Sequence, residues 1–475
     1  MSTQSLPEST PAAEGVHARG IEAFLDAIEA APDIEPHSVM ILRHGRLIAA
    51  GWWKPYGPDR MQLLYSLSKS FTATAAGLAA AEGLLNLDAP VVSYFPEFAA
   101  DITDPGSRSI LVRHVASMAS GHLTDTWDDA VARDGAEPVR GFLLLPPDRD
   151  PGTVFAYNQP ATYTLATIVQ KLTGQSLTEY LRPRLFDPLG IGQTAWRQRP
   201  PGRDLGFSGL HATTDAVARL GQLYLNGGVW EGKRLLPPWW VAEATRAHIS
   251  NADEGRAPDW RQGYGFQFWM SRHGYRGDGA YGQFCLVLPE QDAVIAMTAD
   301  TEQMQAVLDA VWEHLLPAFG PVAATDKEQP ADADLRRRLS RLELPPAPGG
   351  NGARTLPSTE LIPEEGSCAD QPTLTAVTVT DAGDGYVIRL AEDDWWLDLR
   401  CAPGRWTVSE PGAPVPTAVS GGWTGPDTLT FDVAFLETPH HLIVTCSLLD
   451  RTFQAQWRTM PLHEGPLRSF QAPHR

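Results

Sequence analysis

The chain has 475 residues, more than a single hydrophobic core usually organises, so one large unit and a smaller second domain are expected. A hydrophobic fraction of 43% with 20% charged residues excludes a disordered or fibrous chain. The formal charge of -19, with no basic run long enough to neutralise a track of phosphates, excludes nucleic acid as a partner.

The first residues, MSTQSLPESTPAAEG, carry neither the positive n-region nor the apolar h-region of a secretory signal, and no later run is long enough to span a bilayer. A cytoplasmic protein without a membrane partner is therefore expected. From Gly20 to Ala31, GIEAFLDAIEAA has helical spacing, and SVMILRHGRLIAAGWW reads as two strands turning at His44 and Gly45. SLSKSFTATAAGLAAAEGLL, from Ser66 to near Gly83, predicts a long buried helix with its serine at the start. From about Asp88 to Gly228, short helical patterns alternate with Pro and Gly loops and predict a mostly helical subdomain, with TYTLATIVQKLTG and DAVARLGQLYLNGG its clearest helices. YGFQFWM, YGQFCLVLP and DAVIAMTAD then read as strands completing the first sheet, and MQAVLDAVWEHLLPAF as an amphipathic helix after them.

Between Gly320 and Glu360 the chain turns polar and Pro/Gly-rich, with a short basic helix, DADLRRRLSRL, ahead of its loosest point, LPPAPGGNGA. This places domains at 1–330 and 356–475 with a linker at 331–355. The second domain is a series of short alternating runs, from TLTAVTVTD to RTFQAQWR, and predicts an antiparallel barrel or sandwich. Its WWLDLR and RTFQAQWR runs either fill that core or present Trp and Arg to a cleft. Cys285, Cys368, Cys401 and Cys446 show no CxxC spacing, so isolated buried thiols are expected and neither a zinc site nor a disulfide framework.

Ser66, Leu67, Ser68 and Lys69 form an SxxK element, which on a helix puts the serine and lysine on one face, one turn apart. A serine hydroxyl is a weak nucleophile at neutral pH, and a desolvated lysine can act as its base. The alternative for the motif alone is a capping serine with a surface lysine, but an Ala-rich buried helix is an odd place for a casual lysine.

The stretch YSLSKSFTATAAGLAAAEGLLNLDAPVVSYFPE resembles the active-site helix of the penicillin-recognising serine hydrolases: class C β-lactamases, carboxylesterases of the same fold, D-stereospecific aminopeptidases and penicillin-binding-protein-type thioesterases. ILVRHVASMASG, PGTVFAYNQPATYTLATIVQKLTG, LRPRLFDPLGI and GFSGLHATTDAVARLGQLYLNGG follow in the family's order, so the resemblance covers roughly residues 15 to 320. It implies an α+β fold: a β-lactamase-like domain of antiparallel sheet flanked by helices, with a helical subdomain. By pattern alone, the C-terminal strands resemble the lipocalin-like barrel found behind some members.

The resemblance also implies site residues. Tyr157 matches the family tyrosine, which beside Lys69 would take the serine proton as a phenolate and later deliver it to the leaving group. The family's Asn two positions on is Gln159 here, with Asn158 displaced one place before it, so the substrate-orienting amide is open between them and assigned to Gln159. Gly277, Asp278 and Gly279 stand where the family has a KTG or HxG triplet, and the cation is missing, which argues against β-lactamase activity. His273 either compensates or is a turn residue. The amides of Ser66 and Ala280 would form the oxyanion hole. No metal or cofactor is implied. The expected function is acyl transfer through an acyl-enzyme on a small-molecule or peptide ester, amide or thioester, as an esterase or amidase. The alternatives are a peptide-cyclising thioesterase or acyltransferase, and a catalytically silent ligand-binding protein.

Overall fold

Strands that are apolar on both sides need helices on both faces, and this governs the first half of the molecule. The computed structural model describes residues 5–253, 255–320, 328–350, 356–364, 366, 370–463 and 465–473. Strand Ala293–Asp300 is buried along its whole length. Val294 and Ala296 enter one core cluster with Leu42, Phe71 and Leu220, while Ile295 and Met297 enter another with Val39, Phe24 and Leu308. It sits inside a six-stranded antiparallel sheet, in the order Arg46–Trp52, Glu35–Arg43, Ala293–Asp300, Gln283–Leu288, Tyr275–Gly279, Trp269–Met270. The expected hairpin turn is present: His44 and Gly45 have φ of 50° and 73°, the left-handed pair that a two-residue turn requires.

Helix Ala18–Ala30 lays Ile21, Phe24, Leu25 and Ile28 on one face of this sheet, each fully buried and contributing roughly 1.5–3 kcal/mol. Helices Ser68–Ala81 and Thr214–Leu225 cover the opposite face. Helix Gln159–Thr173 packs against Ser68–Ala81 and ends at Gly174, whose left-handed φ of 67° stops it. The segment expected as linker begins as structure: helix Glu328–Leu339 lies on Ala18–Ala30, with Leu335, Leu339, Leu342 and Leu344 in the same core cluster.

The C-terminal part of the chain is a nine-stranded sheet, in the order Trp396–Cys401, Tyr386–Ala391, Ala376–Asp381, Thr359–Pro363, Thr452–Trp457, His441–Ser447, Thr428–Phe435, Thr417–Trp423, Thr407–Val408. It curls until its first strand touches Thr417–Trp423, making a nearly closed barrel. The expected antiparallel pairing holds except at one seam, where Thr359–Pro363 runs parallel to Thr452–Trp457. Val379, Ile388, Leu399, Phe431, Val444 and Phe453 fill the interior. Cys401 and Cys446 are free and buried here, as is Cys285 in the first sheet, while Cys368 lies outside the described residues.

The barrel packs on the six-stranded sheet through Ala418, Ala434 and Leu436, which share a core cluster with Val39 and Ile41, and through polar contacts buried at the seam. Leu63 N donates to Glu437 O at 2.9 Å, and Tyr56 shares a 3.0 Å hydrogen bond with His441. Glu35 pairs with Nε2 of His441 at 3.0 Å and with Arg458.

Candidate active site

Ser66 lies on the 3₁₀ turn Tyr65–Leu67 that feeds helix Ser68–Ala81, so its amide falls in a first turn where backbone N–H groups have no intrahelical acceptor. Strand Tyr275–Gly279 runs directly against this turn. A Cβ on Gly279 would come 2.1 Å from Leu64 O, and one on Gly277 would come 2.5 Å from Leu67 Cδ1 and from Ser70 Oγ. These two glycines are therefore sites of close backbone approach that bring Ala280 to the serine turn.

Lys69 is 1% exposed, and its Nζ has three oxygen partners: Ser66 Oγ at 3.1 Å, Gln159 Oε1 at 2.7 Å and Phe207 O at 2.8 Å. Burial pulls its pKa down to about 7, against the opposing charges of Asp125 and Asp278. Nζ also sits 4.6 Å from the Tyr157 ring centroid. The Tyr157 ring stacks on Trp269 at 5.1 Å, and its hydroxyl lies within hydrogen-bonding reach of Ser66 and of Trp269.

Desolvation and the nearby Asp278 push the Tyr157 pKa up. These shifts favour the neutral phenol at Tyr157 over the phenolate expected from sequence, and the neutral amine at Lys69.

The structure divides the two candidate amides. Gln159 faces Lys69, whereas Asn158 is buried and turned away, its Oδ1 accepting from Thr126 N at 2.9 Å and Thr126 Oγ1 at 3.1 Å. Asn158 is thus a brace for the loop before helix Trp127–Arg133 and does not reach the cleft. Asp278 is in a buried pair with Arg276, Nε to Oδ2 at 2.8 Å, and its charge acts on Lys69 and Tyr157. Arg276 in turn stacks on Trp260 at 4.4 Å. His273 packs against Trp312 on the turn at the far end of that strand.

Sequence reading missed Asp125, which accepts from Gln159 N at 3.0 Å and from Trp127 N at 3.2 Å. It also missed the far wall of the cleft. A volume of about 1060 Å³ opens over Ser66 between Asp125, Asp128, Asp129, Arg199 and Phe207 on one side and Leu462 and His463 from beyond the last barrel strand on the other. The run PLHEG carries no local signal for this, because its role depends on where the barrel docks.

Among the described residues, Glu35, His37 and His441 bring three possible metal ligands together. The guanidinium of Arg458 already occupies the second oxygen of Glu35, and Asp432 takes Nδ1 of His441 at 2.8 Å, so the cluster reads as a charge-paired seam.

The beta-lactamase family model matches residues 22–319. A 6-aminohexanoate-dimer hydrolase of Paenarthrobacter ureafaciens is 28% identical over 56% of this chain and 74% of its own length. A lovastatin esterase of Penicillium rubens is 29% identical over 35% of this chain and 47% of its own length. Among solved structures, EstCE1, a hydrolase with promiscuous acyltransferase activity, superposes with a TM-score of 0.51 at 19% identity, over 62% of this chain and 99% of the other, a likeness of fold.

Proposed function

The chain belongs to the beta-lactamase family, a family of serine hydrolases that includes esterases and amidases, and from that premise we propose that it cleaves a small ester or amide through an acyl-enzyme. Ser66 is the nucleophile, Lys69 its general base, and Tyr157 the carrier of the proton to the leaving group. The observation that carries this reading is the set of partners around Lys69 Nζ. A neutral amine has two N–H donors and one lone pair. Gln159 Oε1 and Phe207 O accept only, so they take both donors and leave the lone pair to the Ser66 hydroxyl.

As Ser66 Oγ attacks the carbonyl carbon, its proton passes to Lys69, and the amides of Ser66 and Ala280 receive the charge that develops on the carbonyl oxygen. The proton then reaches the leaving group through the Tyr157 hydroxyl, and water resolves the acyl-enzyme. Asp125, Asp128 and Asp129 outnumber Arg199 along the cleft, and the Gly277, Asp278, Gly279 triplet carries no cation, a balance that favours neutral or cationic substrates over a carboxylated β-lactam. The relatives' names, a hydrolase of an aminohexanoate dimer and an esterase, are consistent with small amide and ester substrates.

The test is intact mass after treatment with an alkyl fluorophosphonate, followed by assay of p-nitrophenyl esters and anilides. Wild type is expected to gain one adduct and Ser66→Ala none. A folded wild type that gains no adduct overturns the reading in favour of a ligand-binding protein.

A further inference from the structure

The two amides proposed for the oxyanion hole have a feature in common. The residue before Ser66 is Tyr65, at φ 46°, and the residue after Ala280 is Tyr281, at φ 66°. Bulky side chains are uncommon in this left-handed region, and they persist there only where the surroundings over-determine them. Here the surroundings come from the other domain.

The Tyr65 hydroxyl donates to Nε2 of His440 at 2.5 Å. His440 is fully buried and held neutral, so it has one donor and one acceptor; Nδ1 donates in turn to Thr459 O at 3.2 Å. Thr459 Oγ1 donates to Asp300 Oδ1 at 2.6 Å, which ties the same turn to the end of the central strand of the first sheet. The Tyr281 hydroxyl donates to the carbonyl of Met460, one residue further on. The two tyrosine rings meet edge to face at 5.3 Å, and His440 packs on Tyr281 at 4.9 Å. Both tyrosines are buried, at 2% and 7% exposure.

We infer that the C-terminal barrel sets the geometry of the oxyanion hole, holding Tyr65 through His440 and Tyr281 through the Met460 carbonyl, with Tyr65, Tyr281 and His440 as positioning residues. This rests on the assignment of Ser66 as nucleophile. An ordinary domain seam would place its contacts without regard to the two amides. Here both hydroxyl contacts end on the residues flanking them, and both residues have backbone conformations that need external support. The amides stabilise charge that exists only as the carbonyl becomes tetrahedral, so their displacement acts on turnover and leaves ground-state binding unchanged.

The test uses the full chain with Tyr65→Phe, Tyr281→Phe, His440→Leu and His440→Gln. The measurements are kcat and KM for p-nitrophenyl butyrate, the inhibition constant of butylboronic acid as a tetrahedral mimic, and the melting temperature. The first three variants are expected to lose about 10- to 100-fold in kcat and a similar factor in boronate affinity, with KM within about twofold. His440→Gln, whose amide oxygen can accept from Tyr65, is expected to recover most of both. Wild-type kcat and boronate affinity in the two Tyr→Phe variants would overturn the inference, as would a loss that falls on KM or tracks melting temperature without rescue by Gln. The two Tyr→Phe variants remove one oxygen each and keep the question decidable if His440→Leu does not fold. If Ser66→Ala still turns over ester at the wild-type rate, the nucleophile assignment itself falls. If Ser66→Ala is inactive and the Phe variants are not impaired, only the role of the barrel falls.

Discussion

At the scale of single residues, the proposed mechanism depends on which form of Lys69 is populated. Burial favours the amine, while Asp125 and Asp278 favour the ammonium, and the balance falls at about 7. With the amine as the proposed base, kcat/KM for an ester is expected to rise with pH through about 7 and then level off. Asp278→Asn removes a negative charge that stabilises the ammonium, so the same limb is expected to move to lower pH. A pH–rate profile of both proteins checks this, and an unmoved limb would mean that Lys69 does not set it. Tyr157 belongs to the same balance from the other side: its pKa is raised, so the proposed relay passes through a phenol that stays neutral.

Among elements, the strand Tyr275–Gly279 and the turn Tyr65–Leu67 act as one piece, because the strand carries no side chain where they meet. Gly279→Ala would put a methyl 2.1 Å from Leu64 O, a backbone atom that cannot rotate away. It is expected to destabilise the fold by about 1–3 kcal/mol. Labelling by fluorophosphonate is expected to slow at least tenfold, as measured by urea unfolding and adduct formation over time. The sequence carries part of this geometry. Ser66 and Lys69 are legible from helical spacing, since neighbours one turn apart need no long-range information. Gln159 and Asn158 are adjacent, and only the exit of the chain into helix Gln159–Thr173 decides which of them faces Lys69. The Arg276–Asp278 pair is readable as two same-face residues on a strand, but its burial under Trp260 is set by distant packing. Leu462 and His463 are beyond any local signal, as is the parallel seam, because alternating runs reveal strands without revealing their neighbours' direction.

For the whole molecule, the seam between the six-stranded sheet and the barrel holds a chain of charges. His441 lies between Asp432 at 2.8 Å and Glu35 at 3.0 Å, and these carboxylates hold its pKa well above the ordinary imidazole value. A histidine whose folded pKa is raised gives stability that is fully present below its unfolded pKa, about 6.5, and is lost as pH rises through the folded value. The difference in melting temperature between wild type and His441→Gln is therefore expected to be largest below about pH 6.5 and to shrink at alkaline pH. A difference that grows with pH would refute the charge-paired seam. His37, stacked on Tyr56 at 3.8 Å in the same seam, has its pKa pushed down to about 4 by burial, so it adds no competing positive charge near neutrality.

The wall that Leu462 and His463 add to the cleft also bears on how such a chain can change over generations. A substrate pocket that draws its sides from two domains exposes both to selection for the reaction. The barrel is divided by this. On the proposed reading its turn from Thr459 to His463 answers to chemistry, whereas Trp396 and Leu449, 55% and 77% exposed on its surface, lie outside the cleft lining. On that reading, new substrate preferences can arise from a handful of barrel positions while Ser66 and Lys69 stay as they are.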